Sequence, residues 1–176
     1  IFLGGEPTMH KDLAQAVKYA KKSSYAVTVD SNGYLFHDLL DKVTPEELDY
    51  LSFSLDGPTA EVNDPIRGEG VYDVCVGNIK RAVAKGFNVS LIYTVSSRNI
   101  DHLEKMVPLV KELGIHKFFI QVIGLRGKSA AAADETPLQV GKDEWLKVIP
   151  EVAAKVADQG ITVTYPKVFL GKDEQF

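Results

Sequence analysis

The chain opens on IFLGGEPTMH (residues 1–10), and this stretch decides the type of fold that we expect. Residues 1–3 form a short apolar run that Gly-Gly and Pro end at once, which is typical of the end of a buried strand. A strand in this place needs neighbours, and a helical pattern follows it directly. We therefore expect a repeating strand–helix chain that is entered at about its second strand.

Strand-like runs alternate with amphipathic helices along the rest of the chain. The residue pattern predicts strands at 25–29, 50–54, 89–95, 118–123 and 161–165, and helices at 11–22, 36–42, 71–85, 101–113 and 143–159. Parallel neighbours need a crossover that packs back on the sheet, so this alternation predicts βαβ units. With 176 residues, 45% of them hydrophobic, the chain suits one domain over residues 1–176.

The unusual residues all follow predicted strands. They form GGEP (4–7), DSNG (30–33), SLDGP (54–58), TVSSRN (94–99) and GLRGKS (124–129). In a barrel such strand ends converge on one face, whereas in an open doubly wound sheet only the loops at the switch point meet. We therefore expect an α/β fold, a parallel (β/α) partial TIM-type barrel, with the open sheet as the alternative. The stretch 129–143 is expected to be a long loop.

Composition excludes several classes of partner and site. A formal net charge of −4 with mixed signs argues against nucleic acid or an anionic membrane, so we expect small molecules or proteins as partners. No apolar run approaches a bilayer span and no signal peptide is visible, which indicates a cytoplasmic protein. The only cysteine, Cys75, excludes an internal disulfide or a thiolate metal site, and its helical spacing predicts a buried hydrophobe.

Two charged residues, one at a predicted strand end and one in a later predicted loop, suggest a clamp for an α-amino acid. Glu6 can accept from an ammonium group, and the planar fork of Arg67, in a predicted loop flanked by Pro and Gly, can hold a carboxylate. Ser54 and Asp56 occupy alternate positions and should face the same side. A substrate or cofactor with an amino-acid end would fit such a set.

Each segment also has a simpler interpretation. GGEP could be a tight turn with a solvated Glu6, and Arg67 could pair at the surface with Asp64 or Glu69. DSNG is also a good turn sequence, and TVSSRN could cap a helix that starts near Asp101. The residues alone leave both interpretations open.

Four segments in this order resemble the radical S-adenosylmethionine (SAM) enzymes: IFLGGEPTMHKDL, VTVDSNGYLF, LSFSLDGPTAEVNDPIRGEGVYD and LIYTVSSRN. The resemblance is strongest to the branch with peptide-modifying and anaerobic sulfatase-maturing enzymes. It implies a partial (β/α) barrel that holds a [4Fe-4S] cluster and S-adenosylmethionine at the carboxyl ends of its strands.

The resemblance also implies roles for individual residues. The GGEP loop would take the methionine ammonium, the SLDG strand end and the later arginine the methionine carboxylate, and the TV strand end the adenine or ribose. The implied cofactor-binding residues are Gly4, Gly5, Glu6, Pro7, Ser31, Asn32, Ser54, Asp56, Arg67, Thr94, Val95, Ser97 and Arg126. Arg126 could face the cofactor or the substrate.

The chemistry implied by the family is reductive cleavage of S-adenosylmethionine. One electron from the reduced cluster releases methionine, and the 5'-deoxyadenosyl radical abstracts hydrogen from a small-molecule or peptide substrate. An electron donor such as flavodoxin or ferredoxin is implied as a partner. The family's three cluster cysteines lie in a CxxxCxxC loop one helix before GGEP, and this sequence contains no such loop. We therefore expect the ligands upstream of Ile1 and expect this piece alone to be inactive.

Two other functions remain possible from sequence. One is a barrel that binds S-adenosylmethionine or an amino acid without redox chemistry. The other is a barrel lyase or aldolase that uses Lys80 or Lys117. Lys80 lies in a predicted helix and Lys117 at the start of a predicted strand, the structural face of a barrel, so this function is the less favoured.

Overall fold

The computed structural model describes residues 1–36, 38–124 and 138–169. Five parallel strands form one sheet in chain order: β1 (Thr28–Ser31), β2 (Tyr50–Ser54), β3 (Val89–Val95), β4 (Lys117–Val122) and β5 (Thr162–Thr164). Every neighbouring pair is parallel, so all carboxyl ends lie along one edge, which we call the rim. The predicted parallel α/β sheet is confirmed.

Helices connect the strands. They are α1 (Leu13–Lys22), α2 (Leu39–Lys42), α3 (Ala60–Arg67), α4 (Val71–Ala84), α5 (Met106–Glu112) and α6 (Lys142–Ala157), with short 3-10 helices at Pro7–Met9, Pro45–Glu47 and Ile100–Lys105. None of the helices in the three described ranges combines the length and apolar character needed to cross a membrane.

The two faces of the sheet differ in chemistry because side chains alternate along each strand. The outer face carries apolar side chains that are fully buried with α1, α4, α5 and α6 in one core; they include Val29, Leu51, Phe53, Leu91 and Phe118. Each such side chain stabilises the fold by about 1.5 to 3 kcal/mol. The opposite, inner face carries mostly polar residues and borders a cavity of about 300 Å³.

The opening stretch extends the sheet beyond β1. Phe2 forms a parallel bridge with Val29; its amide donates to Thr28 O at 2.8 Å, and its carbonyl accepts from Asp30 N at 3.0 Å. Residues 1–3 thus run beside β1 before the chain turns at Gly4, in agreement with the strand-like interpretation of the first residues.

Several predicted boundaries shift. The strand predicted at 25–29 is β1, and it begins only at Thr28. Ser24 has a left-handed φ of 64° and Tyr25 is 67% exposed, so the chain is still turning after α1. The helix predicted at 101–113 is divided into the 3-10 helix Ile100–Lys105 and α5.

The prediction that Arg67 lies in a loop is wrong, because Arg67 is the last residue of α3. Pro65 lies inside this helix and removes one backbone donor, which made the segment read as a loop. Two side chains of the helix itself fix it to the segments on either side: Asn63 Oδ1 accepts from Asp56 N at 2.9 Å, and the Asp64 carboxylate accepts from the backbone of the turn that starts α4.

We predict that Gly57→Ala destabilises the protein by about 1 to 3 kcal/mol, the cost of overpacking. A Cβ at Gly57 would lie 2.5 Å from the backbone N of Asn63, so the loop after β2 would have to move away from α3. Urea denaturation measures the change. The matched control is Gly77→Ala in α4, where nothing lies within 4 Å of a new Cβ. It should stabilise by about 0.5 to 1 kcal/mol. Equal midpoints for the two variants would contradict this account.

Candidate functional site

The carboxylate of Glu6 joins the first two loops of the rim. Its Oε1 accepts from Thr8 N at 3.1 Å, Thr8 Oγ1 at 2.5 Å and Ser31 Oγ at 3.0 Å, and its Oε2 accepts from Asn32 N at 2.7 Å. Glu6 is therefore not a freely solvated turn residue. Oε1 is saturated with donors, whereas Oε2 has one donor in the described part of the chain and retains capacity for another.

The DSNG segment forms a turn that its own side chains stabilise. Asn32 Oδ1 accepts from Tyr34 N at 2.8 Å, and Ser31 Oγ accepts from Gly33 N at 3.0 Å. Gly33 has φ +71°, and a Cβ there would lie 2.6 Å from the Sγ of Cys75. The turn thus rests directly on α4, and only glycine fits both the conformation and the space.

Asp56 is the most connected residue of the rim. Its Oδ1 accepts from Thr94 N at 2.7 Å, and its backbone carbonyl accepts from Asn99 Nδ2 at 3.0 Å. Its backbone amide donates to the fully buried Asn63, as described above. Burial raises the pKa of Asp56, and the guanidinium of Arg67 and the Thr94 amide oppose this effect only in part.

Arg67 pairs with Asp56 rather than with Asp64 or Glu69. Its Nε lies 2.8 Å from Asp56 Oδ2, an ion-pair distance, although the N–H direction at Nε does not meet that oxygen at a hydrogen-bonding angle. The Arg67 side chain is 20% exposed and that of Asp56 only 5%. Asp64 instead accepts from the amides of Gly70 and Tyr72. The surface pairing considered from sequence is therefore not the one formed.

Asn99 fixes the loop after β3. Its Nδ2 donates to Thr94 O at 3.0 Å, its Oδ1 accepts from Ser96 N at 2.8 Å, and its carbonyl accepts from Tyr93 Oη at 2.8 Å. Asn99 is fully buried and precedes the 3-10 helix Ile100–Lys105 as its N-cap residue. The Asn99 side chain makes no capping hydrogen bond to that helix, so the side-chain capping considered for TVSSRN is not formed there. The side chain connects this loop to Asp56 instead.

The remaining predicted site residues occupy different environments. Thr94 is half-buried on the inner face, Val95 is buried, and Ser97 is exposed, with its amide donating to Leu138 O at 2.9 Å. Ser54 is half-buried, and its carbonyl accepts from Cys75 Sγ at 3.7 Å. Arg126 lies outside the described residues.

The buried thiol of Cys75 lies behind the rim. Burial raises its pKa to about 12. Its Sγ lies 2.6 Å from where a Cβ at Gly33 would be, in the turn after β1, and it donates to the carbonyl of Ser54 at the end of β2. Helix α4 therefore packs against both the turn beside Glu6 and the end of β2.

The GGEP loop leaves open space beside its backbone. A Cβ at Gly4 or Gly5 would have no atom within 4 Å, and Gly4 has φ +148°. A cavity of about 390 Å³ lies against this loop, lined by Phe2, Leu3, Gly4, Gly5, Glu6, Pro7, His10, Leu13 and Ala16. Arg67 lines neither this cavity nor the one on the inner face.

The described residues do not fit an iron–sulfur cluster. Within residues 1–36, 38–124 and 138–169, no group of three or more His, Cys, Asp or Glu could hold a metal ion. A cluster needs several thiolates, whereas Cys75 is single, fully buried and protonated. Cys75 is a packing residue, as predicted.

Sequence reasoning missed three of the residues that organise the rim. Thr8 and Asn63 carry no recognisable signal in their local sequence. Asn78 reaches from α4 and donates to Gly33 O at 2.8 Å. Asn78 could have been noticed as a polar residue on the apolar stripe of a helix. Asn78 and Thr8 reach partners 45 and 27 residues away, whereas Asn63 accepts from a residue only seven positions away.

We predict that Arg67→Met destabilises the protein by about 3 kcal/mol, because it leaves the buried carboxylate of Asp56 unpaired. Asp56→Asn keeps an acceptor for Thr94 N and removes the cost of burying the charge, so it should destabilise less than Arg67→Met. The double variant Asp56→Asn/Arg67→Met should recover part of the loss. Urea denaturation of the two single variants and the double variant measures the coupling, and Asp73→Asn on the exposed side of α4 is the control. Strictly additive effects would contradict the ion pair.

Cys75 should resist alkylation in the native protein, because its thiol is buried and its pKa is raised to about 12. Treatment with iodoacetamide at mildly alkaline pH, followed by peptide mapping, should find Cys75 unmodified without urea and modified with it. The variant Cys75→Ala should retain the iron content of the reconstituted full-length protein. Rapid labelling of native Cys75, or loss of iron in the variant, would count against a packing role.

Comparisons with known proteins agree with this geometry. Residues 1–110 match the family model of the Radical SAM superfamily. The chain is 26% identical over 162 residues to Fe-coproporphyrin III synthase of Methanosarcina barkeri, covering 91% of this chain and 40% of that protein. It is 35% identical over 120 residues to mycofactocin maturase MftC of Mycobacterium tuberculosis, covering 63% of this chain and 29% of that protein. The chain thus spans less than half the length of these relatives.

A solved structure shows the same fold. SuiB of Streptococcus suis, bound to S-adenosylmethionine, matches with a TM-score of 0.72 at 14% identity, over 92% of this chain and 36% of SuiB. The sheet is therefore the partial TIM barrel of these enzymes, as predicted. Because the family model matches more than half of the chain, this chain belongs to the radical SAM superfamily.

Proposed function

We propose that this chain is the S-adenosylmethionine-binding part of a radical SAM enzyme, with the GGEP loop and Arg67 at the two ends of the methionine moiety. One observation carries the proposal. Asp56 lies at an ion-pair distance from Nε of Arg67, and the Arg67 guanidinium makes no hydrogen bond within the described part of the chain. Asp56 follows β2 on the same rim as Glu6, whose Oε2 retains capacity.

The carboxylate end of the ligand would be held by Arg67 and Ser54. A guanidinium fixed by a buried acid loses little further freedom when it binds, which favours affinity. Its two terminal nitrogens match the two oxygens of a carboxylate. Both oxygens of Asp56 are already engaged, by Thr94 N and by Arg67. We therefore assign Asp56 as a positioning residue that acts through Arg67.

The ammonium end would be held by the GGEP loop. An ammonium has three donors, and Glu6 Oε2 together with the exposed carbonyls of Gly4 and Gly5 could accept them. The absence of side chains at both glycines lets a ligand approach the backbone. Pro7 turns the chain into the 3-10 helix that Glu6 caps.

The adenosyl end would lie along the later strand ends. Thr94, Val95 and Ser97 are proposed to contact the adenine or ribose, with Ser31 and Asn32 contributing from the turn beside Glu6. S-adenosylmethionine, bound beside a reduced cluster, supplies the 5'-deoxyadenosyl radical for hydrogen abstraction. The protein's own contribution is to orient the ligand and to exclude water.

The cluster-binding loop, the electron donor and the substrate are proposed to lie outside this chain. The chain covers 40% or less of the two curated relatives, and Cys75 does not suit a cluster. We propose that a cysteine loop upstream of Ile1 holds the [4Fe-4S] cluster, that flavodoxin or ferredoxin supplies electrons, and that this piece alone is inactive. SuiB has been solved with its precursor peptide SuiA, and MftC is a maturase, which supports a peptide substrate.

The decisive experiment is reconstitution of the full-length protein. Anaerobic expression followed by addition of iron and sulfide should give cluster absorbance, and incubation with dithionite and S-adenosylmethionine should give 5'-deoxyadenosine. Neither cluster absorbance nor turnover would favour a binding barrel without redox chemistry.

We predict that Arg67→Met weakens binding of S-adenosylmethionine by about 1.5 to 3 kcal/mol, the range for a hydrogen bond to a charged group. Arg67→Lys keeps the charge but loses the fork, so it should recover only part of the affinity. Glu6→Ala should weaken binding over the same range and also loosen the turn at Asn32. Calorimetric titration measures the affinity, and Glu69→Ala, at an exposed acid next to α3, is the control. Unchanged affinity in both the Arg67→Met and the Glu6→Ala variants would refute the assigned roles.

A further inference from the structure

Four polar residues form a row across the inner face of the sheet. The strand register places Asp30 beside Ser52, Ser52 beside Ser90, and Ser90 beside Lys117, one residue from each of β1 to β4. Residues in register on parallel strands lie side by side on one face. We call these four residues the polar row. It begins with an acid and ends with a base.

The two serines in the middle of the polar row offer one unused donor. Ser52 and Ser90 are 4% and 5% exposed, and their hydroxyl oxygens lie 2.5 Å apart. One hydroxyl donates to the other, and the second hydrogen has no acceptor among the residues that the structure describes. The row therefore presents one hydroxyl hydrogen to the inner face.

The two charges at the ends of the polar row are not paired within the described part of the chain. The carboxylate of Asp30 makes no hydrogen bond or ion pair there, and Lys117 Nζ has only the ring of Tyr50, 5.8 Å from the centroid. Three strand spacings of about 4.8 Å separate their backbones by about 14 Å, too far for a direct pair. Both side chains are half-buried, and each remains available to pair with an opposite charge on a bound molecule.

The cavity of about 300 Å³ on the inner face contains the whole polar row. Asp30 and Lys117 are the charged side chains of its lining, and Ile92 and Phe119 add apolar surface. Ser54, assigned above to the methionine carboxylate, lies two residues beyond Ser52 on β2. That is about 6.6 Å further toward the rim. A molecule in this cavity would therefore lie directly beside the proposed cofactor site.

We propose that the polar row recognises a zwitterionic peptide segment of the substrate. Its cationic group would pair with Asp30, its carboxylate with Lys117, and a carbonyl between them would accept from the Ser52–Ser90 pair. The proposal rests on the proposed function and adds the substrate's chemical class. Charge complementarity selects this occupant, because an uncharged or singly charged segment would leave at least one end unpaired.

The test uses the full-length protein with S-adenosylmethionine and two probes: tetraglycine, a zwitterion about 13 Å long when extended, and the same peptide with an acetylated amino end and an amidated carboxyl end. Titrations followed by saturation-transfer NMR measure both affinities. Tetraglycine should bind about tenfold more tightly than the blocked peptide, as expected for hydrogen bonds to charged groups. Equal affinities, or no binding of tetraglycine up to its solubility, would overturn the proposal.

Variants at the two ends of the polar row test whether tetraglycine binds there. Asp30→Asn and Lys117→Met should each weaken tetraglycine binding about tenfold while leaving the affinity for S-adenosylmethionine within about twofold. Asp73→Asn and Lys147→Met make the same chemical changes on exposed sites of α4 and α6 and should change neither affinity. Tetraglycine binding that survives both inner-face changes would also overturn the proposal.

The two proposals fail in different ways. If the wild-type protein does not bind S-adenosylmethionine, the proposed function fails. If it binds S-adenosylmethionine but does not discriminate tetraglycine from the blocked peptide, only the role of the polar row fails. The comparison of the two peptides uses the wild-type protein, so it stands even if an inner-face variant does not fold.

Discussion

The burial of one carboxylate, that of Asp56, constrains the whole rim. Removing a charge from water is costly, and here the cost is offset by Thr94 N on one oxygen and the Arg67 guanidinium near the other. The backbone of Asp56 is held as firmly as its side chain, by Asn63 and Asn99. Strands β2 and β3 and helix α3 are thus fixed relative to one another at the edge where the cofactor is proposed to bind.

The two faces of the sheet have different roles: the outer face packs in the core, and the inner face is proposed to bind a ligand. The outer face buries residues such as Phe53 and Leu91 against the helices, which supplies most of the stabilisation by apolar burial. The inner face contributes little to this core, since its residues are polar or only half-buried. Polar residues retained on a face that could have been apolar are better explained by a ligand than by folding.

The fold was largely predictable from sequence, whereas the partners of the site residues were not. The bounds of β2 and β3 agree with their sequence patterns, because β2 alternates large apolar residues with serines, β3 is rich in apolar and β-branched residues, and turn residues follow both. Helix α3 was missed because Pro65 and Gly68 are local breakers, and the contacts that hold it, such as Asn63 with Asp56, lie outside the helix pattern itself. The sequence pattern placed Asp56 at a strand end. It could not indicate that the Thr94 amide and the Arg67 guanidinium already contact the two carboxylate oxygens of Asp56. The family was recognised from four sequence segments, and the family match confirms the family; the ligand is proposed from that membership.

The shared carboxylate of Glu6 has a mechanical consequence. Because it accepts simultaneously from Thr8 in its own loop and from Ser31 and Asn32 in the next, neither loop can be displaced without breaking bonds to the other. Gly33 against Cys75 then blocks movement of the turn toward α4. The first two loops should therefore move together, and a ligand that orders one of them should order the other as well.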